Sequence, residues 1–170
     1  PRGDFPIPDA WLEMLEADVI LGFFGANEAQ RGPDGIERFK EELQAWIDYT
    51  SLSEYNGENA PKIILVSPTA REDASDRMDV PDGTLENENL KLYTEAIREV
   101  AIAAEVPFID LFTLTYSWLA EEEDFTTDGM MLTDAAYAKL APWLADHLFG
   151  GKTNNAARTQ VQALVEDKNW

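Results

Sequence analysis

The chain has 170 residues, with 33 acidic and 13 basic side chains and a formal net charge of −20. Its length suits one domain burying roughly two-thirds of its unfolded surface, and 45% apolar with 11% aromatic content is too rich for disorder. The negative charge argues against nucleic acid and anionic membrane surfaces as partners, and the absence of Cys excludes disulfides, thiolate metal sites and a Cys nucleophile.

The apolar runs are far too short to span a bilayer, and no signal-peptide pattern is visible. A start at Pro1 rather than Met and an end at Trp170 read as a processed or excised piece of a longer polypeptide. Near the start, Gly3-Asp4 is followed by Phe5 and flanked by Pro6 and Pro8, with no apolar strand ahead of it.

The first apolar run is 18–24 (DVILGFF), bounded by a Gly and polar residues as a strand buried on both faces would be. Ile36, Phe39, Leu43, Trp46 and Ile47 then recur at helical spacing. A second strand is expected at 62–67 (KIILVS), followed by a helix carrying Leu90, Tyr93, Ile97, Val100 and Ala104. A third strand is expected at 107–112 (PFIDLF). The last core helix carries Tyr137, Leu140, Leu144 and Leu148, capped by Thr133 or Asp134, and Pro142 should kink or break it. Residues 1–149 form the expected α/β domain, 150–155 (GGKTNN) a linker, and 156–170 a carboxy-terminal helical segment. Strands alternating with helices predict a parallel sheet with its chemistry at the carboxyl ends of the strands, at 25–30, 68–73 and beyond Phe112.

Gly25-Ala26-Asn27-Glu28 follows the first strand directly. The Gly permits a tight turn, and the Asn amide either donates to a developing oxyanion or bonds its own backbone in the turn. The loop 128–132 (DGMML) leads into the last helix and reads, by pattern alone, as a helix entry with a Gly turn and two core methionines. Ser67 lies at a strand end on the correct side of the sheet, without a Gly-x-Ser-x-Gly elbow, and reads as a structural hydroxyl. Arg71 could meet an anionic group at the rim, or be a solvated loop charge. Glu28 and Asp128 could face one cleft as a carboxylate pair, but 33 acids make such a meeting unremarkable. A carboxylate calcium site has no EF-hand loop behind it, and no cofactor or metal is implied.

The order ADVILGFFGANE, KIILVSP, VPFIDLF, TDGMMLTDAAYAKLA resembles the SGNH (GDSL-type) hydrolases, and in particular the SGNH modules of large bacterial multidomain proteins. The similarity runs from about residue 11 to residue 149. It implies a flavodoxin-like three-layer α/β sandwich with a parallel sheet and hydrolysis of esters, often acyl or acetyl groups on carbohydrates or lipids. It also implies Gly25 and Asn27 in the third family block, Asn27 as oxyanion donor and Asp128 as triad acid. Glu28 stands where many members have Asp.

The family's Gly-Asp-Ser nucleophile block and the Gly block after it are not found, since only 24 residues precede Gly25. Met131 occupies the position of the triad His, and a thioether is no general base. His147, the one histidine of the sequence, falls in the last turn of a helix well beyond that loop and reads as a helix-end residue. These features predict an SGNH-type esterase module that is incomplete and catalytically degenerate. The alternative is a non-catalytic binding or scaffold domain of a larger secreted assembly. The expected partners are an acylated carbohydrate or other ester ligand, and a further polypeptide segment completing the apolar edge of the first strand. The resemblance implies a periplasmic or extracellular setting.

Overall fold

The computed structural model describes residues 6–121 and 123–150. Gly3-Asp4, most of the 150–155 linker and the 156–170 segment lie outside the described residues. The chain divides into two compact units: one holds the residues up to Asp124 together with Asp128–Met130, the other Phe125–Thr127 and the residues from Met131 on.

In the first unit, α1 (Pro8–Met14) precedes β1 (Val19–Phe23), and α2 (Ile36–Ser51) leads to β2 (Lys62–Val66). Then come α3 (Thr84–Ala103), β3 (Phe108–Ile109) and α4 (Leu111–Trp118). The three strands form a parallel sheet in the order β1-β2-β3. This is an α/β fold with a parallel sheet flanked by helices.

The core follows from the helical spacing. Phe39, Leu43 and Ile47 of α2, and Leu90, Tyr93, Ile97 and Val100 of α3, are buried together with Ile63 and Leu65 of β2. Ile36, Trp46, Ala104 and Phe108 pack partly buried against them, with Trp46 edge-on to Phe24 at a centroid distance of 4.8 Å. Ile20 and Gly22 of β1 pair with Ile63 and Leu65, so they share that covered face.

The strand expected at 18–24 is not buried on both faces. β1 pairs with β2 alone among the described residues, and on its other face Val19 is 53% and Phe23 59% exposed. β2, which has β1 along one side and β3 against Leu65 and Val66 on the other, is buried from Ile63 to Val66. The strand expected at 107–112 is shorter, because Asp110 ends it. Its carboxylate accepts the Thr113 N–H at 2.8 Å as the N-cap of α4, turning Leu111 and Phe112 into a helix.

The second unit contains α5 (Asp134–Phe149), with an isolated antiparallel bridge between Thr126 and Leu132. Thr133 is the helix cap, accepting the Ala136 N–H at 3.2 Å. The helix runs on through Pro142 rather than breaking there. Pro142 and Ala138, whose carbonyl loses its helical donor, are both exposed, so water can replace that bond. Ala136 and Leu140 are buried, whereas Tyr137, expected in the core, is exposed.

Candidate functional site

Candidate positions Gly25, Asn27 and Asp128 belong to the first unit, and the loop following β2 touches both of the turns that carry them. At the end of β1, Gly25 adopts φ +98°, and a Cβ there would lie 3.1 Å from Ile97 Cδ1 and 3.4 Å from Pro68 Cδ. The turn is thus left-handed and pressed against the first residue after Ser67, which leaves room for glycine alone. The Gly25 N–H donates to Glu28 Oε2 at 3.0 Å, and Ala29 N–H returns to the Gly25 carbonyl at 3.0 Å. Gly25 therefore shapes the turn, and its own N–H is engaged by Glu28. Glu28 is correspondingly a latch on this turn.

Asn27 lies between them, exposed, with φ −77° and ψ −38° at the start of a short 3-10 turn. Its carbonyl accepts the Gln30 N–H at 3.2 Å, but its side chain makes no cap bond. Of the two readings of this residue, the turn Asn bonding its own backbone through its amide is not the arrangement found. The amide group projects from the carboxyl end of β1 with its donor and acceptor available.

The Asp128 turn is built just as tightly. Gly129 has φ +87°, and a Cβ would meet the Glu72 carbonyl at 2.9 Å. That close approach goes with a backbone bond in the other direction, Glu72 N–H to Gly129 O at 3.0 Å. Asp128 is half-buried and its Oδ1 accepts the Met130 N–H at 2.9 Å, an Asx turn that fixes the carboxyl group. The methionines after it are not core residues: Met130 is 52% and Met131 60% exposed. What holds Met131 is its backbone, whose carbonyl accepts the Thr127 N–H at 2.8 Å.

Ser67 is wholly buried. Its hydroxyl donates to the Pro68 carbonyl at 3.1 Å and accepts the Phe112 N–H at 2.9 Å, tying the end of β2 to the start of α4. Both capacities of the hydroxyl are used, and no solvent reaches it, so it cannot meet a substrate in this conformation. His147 lies on α5 with Nδ1 2.8 Å from the Trp143 carbonyl and its ring stacked 3.7 Å from that indole. No cluster of three or more His, Asp or Glu able to hold a metal exists among the described residues.

Two side chains that organise the loop after β2 went unnoticed in the sequence. Thr115 accepts the Ala70 N–H at 2.7 Å, and Asn87 accepts the Arg71 N–H at 2.8 Å while donating to the Arg71 carbonyl at 2.7 Å. Asn87 stands three residues before Leu90, on the buried face of α3. A polar residue on that stripe was the available signal. Beside it, hydrogen bonds from Ser75 hold the Asp73 carboxyl below the usual carboxylate range.

No family model matches the chain, and no curated protein matches it. Solved structures do. A lipase/acylhydrolase from Enterococcus faecalis superposes with a TM-score of 0.56 at 23% identity, over 81% of this chain and 64% of that one. An acetyl xylan esterase gives a TM-score of 0.55 at 20% identity, over 82% of this chain and 69% of that one. A peptidoglycan O-acetylesterase gives 0.57 at 16% identity, over 84% of this chain but 43% of that one. The chain has an SGNH-like, esterase-like fold, and it spans only 64% of the length of the E. faecalis protein.

Proposed function

We propose that this chain is an ester-binding module on an esterase-like fold that does not hydrolyse its ligand as it stands. The carrying observation is the site's composition: an Asn27 amide with its donor available and a fixed Asp128, but Met131 three residues on in place of a base. Asn27 is the donor to the ligand's carbonyl oxygen, Gly25 and Glu28 hold the turn that presents it, and Asp128 is the remnant of the triad acid. Further support comes from Ser67, whose buried hydroxyl is spent on Pro68 and Phe112.

The edge of β1 left unpaired among the described residues and the partial coverage of the E. faecalis structure support a second element of this reading. A further polypeptide segment pairs with β1 and completes the sheet, as part of a larger secreted or periplasmic assembly. The alternative, a pure scaffold domain with no ligand, keeps the β1 pairing and dispenses with Asn27.

Triacetin, a soluble triester, tests the reading by two readouts on the same protein. In an NMR titration it shifts the Asn27 side-chain amide, and Asn27→Ala removes the binding. No acetate is released, and a fluorophosphonate labels no Ser. Hydrolysis, or a label on any Ser, would sink the claim of a non-hydrolytic module. Absence of any triacetin shift would hand the case to the scaffold.

A further inference from the structure

The arginines of the described chain are almost all spoken for. Arg31 and Arg38 pair with Glu42, Arg77 with Glu72, Asp76 and Asp124, and Arg98 with Glu95 and Asp110. Arg71 is different. It makes no ion pair, and its Nε is buried without a hydrogen-bond partner. In a chain with 33 carboxylates, a guanidinium without one needs a physical reason.

The reason is local. The Arg71 backbone is clamped on both sides by Asn87, and its stem lies against Gly83, where a Cβ would come within 3.2 Å of Arg71 Cγ. Its Nε lies 3.7 Å from where a Cβ on Gly129 would be, against the turn that carries Asp128. The acids of its own loop and of the two adjoining turns make bonds of their own. Glu72 binds Arg77 at 3.3 Å, Asp73 takes the Ser75 N–H at 2.9 Å, Asp82 takes the Thr84 N–H at 2.9 Å, and Asp128 Oδ1 takes the Met130 N–H at 2.9 Å. A half-buried cation on a clamped backbone is thus held at the carboxyl end of the sheet, without an ion pair among the described residues.

We infer that Arg71 is a binding residue for a carboxylate, so that the ligand of this site carries an acid group as well as its ester. The planar guanidinium matches a carboxylate in two parallel hydrogen bonds, and a stem already ordered loses little entropy on binding. The rest of the molecule selects the charge of the ligand. Against a net charge of −20, one arginine can offset a single negative charge, whereas a phosphate dianion or a polyanion meets additional repulsion. The inference rests on the ester-binding reading only for the ester half of the ligand; the acid half stands on Arg71 itself.

D-glucuronate is the probe, with D-glucose and inorganic phosphate as controls, read by NMR on the whole chain. The buried Nε–H of Arg71 is sheltered from exchange and gives a direct reporter. Glucuronate is expected to shift that resonance saturably and glucose to leave it unmoved. Phosphate should bind more weakly than glucuronate. Arg71→Gln, which keeps much of the stem, should lower the affinity about tenfold or more, and Arg71→Lys should recover part of it. Amide spectra of both variants matching the parent show that the loop has kept its fold. If glucuronate leaves the Nε–H unmoved, or binds Arg71→Gln as well as the parent, the carboxylate site is refuted. Phosphate binding as tightly as glucuronate would refute the selection of a single charge. Triacetin binding separates the two readings: if it persists while glucuronate fails, Arg71 alone is wrongly assigned. If glucuronate binds and triacetin does not, the anion site survives the ester reading.

Discussion

Gly25 bears two constraints at once, a left-handed backbone at φ +98° and side-chain atoms of Ile97 and Pro68 closing on its missing Cβ. Gly25→Ala should therefore destabilise the chain by about 1–3 kcal/mol, measured by urea unfolding, through backbone strain and displacement of Ile97. Ser67 makes the complementary case. Ser67→Ala leaves the buried Phe112 N–H without its acceptor and should cost about 1–3 kcal/mol in the same experiment, with triacetin binding unchanged. Such a result would mark the hydroxyl as a brace; lost binding at unchanged stability would contradict it. These two residues also show how far the candidate site was legible. The turn at Gly25 and the absence of a base at Met131 could be read from residue type and order. The latch from Glu28 to the Gly25 N–H, the exposure of Met130 and Met131, and the clamp of Asn87 on Arg71 could not. Each depends on which groups meet across loops, and sequence spacing carries no such information.

The helices α2 and α3 were legible because an apolar stripe of 3.6-residue period has one physical solution, burial of that stripe. Periodicity failed where a single polar residue redirected the chain. Asp110 sits within an apolar run that reads as strand, yet its carboxylate caps α4 and claims Leu111 and Phe112 for a helix. In β1 an apolar run marked a strand but not how it is covered, since burial depends on neighbours beyond the run itself. An edge unpaired among the described residues and the exposed side chains of Val19 and Phe23 make β1 the described element most prone to pairing. Phe23→Lys should therefore reduce self-association in sedimentation-velocity runs at high protein concentration. Because Phe23 is 59% exposed, it should change stability by less than about 0.5 kcal/mol. Unchanged association would mean that the surface around β1 is not the sticky one.

The charge acts on the molecule as a whole. With −20 spread over 170 residues, like charges lie within a Debye length of one another across the surface, and self-repulsion opposes the compact state. Salt screens that repulsion, but it also screens the ion pairs, so the sign of the net effect depends on which is larger. Several pairs are peripheral: Arg38–Glu42 and Arg31–Glu42 are exposed, and Lys40, which bridges α2 to Glu99 of α3, has its partner mostly in solvent, whereas Arg77–Glu72 and Arg98–Asp110 are partly buried and less open to screening. Exposed pairs of this kind contribute about 0–1 kcal/mol each. The acidic excess is larger, because most of the 33 carboxylates have no cation to pair with among 13 basic residues. Raising NaCl from about 20 mM to about 0.5 M should therefore stabilise the chain, lifting the midpoint of thermal unfolding by about 2–4 °C for each kcal/mol of repulsion removed. Chloride is the appropriate anion, since sulfate would strengthen apolar burial by exclusion and give the same sign for a different reason. A midpoint that falls with NaCl would show that the few ion pairs outweigh the repulsion. The single-charge selectivity assigned to Arg71 would then lose the field on which it depends.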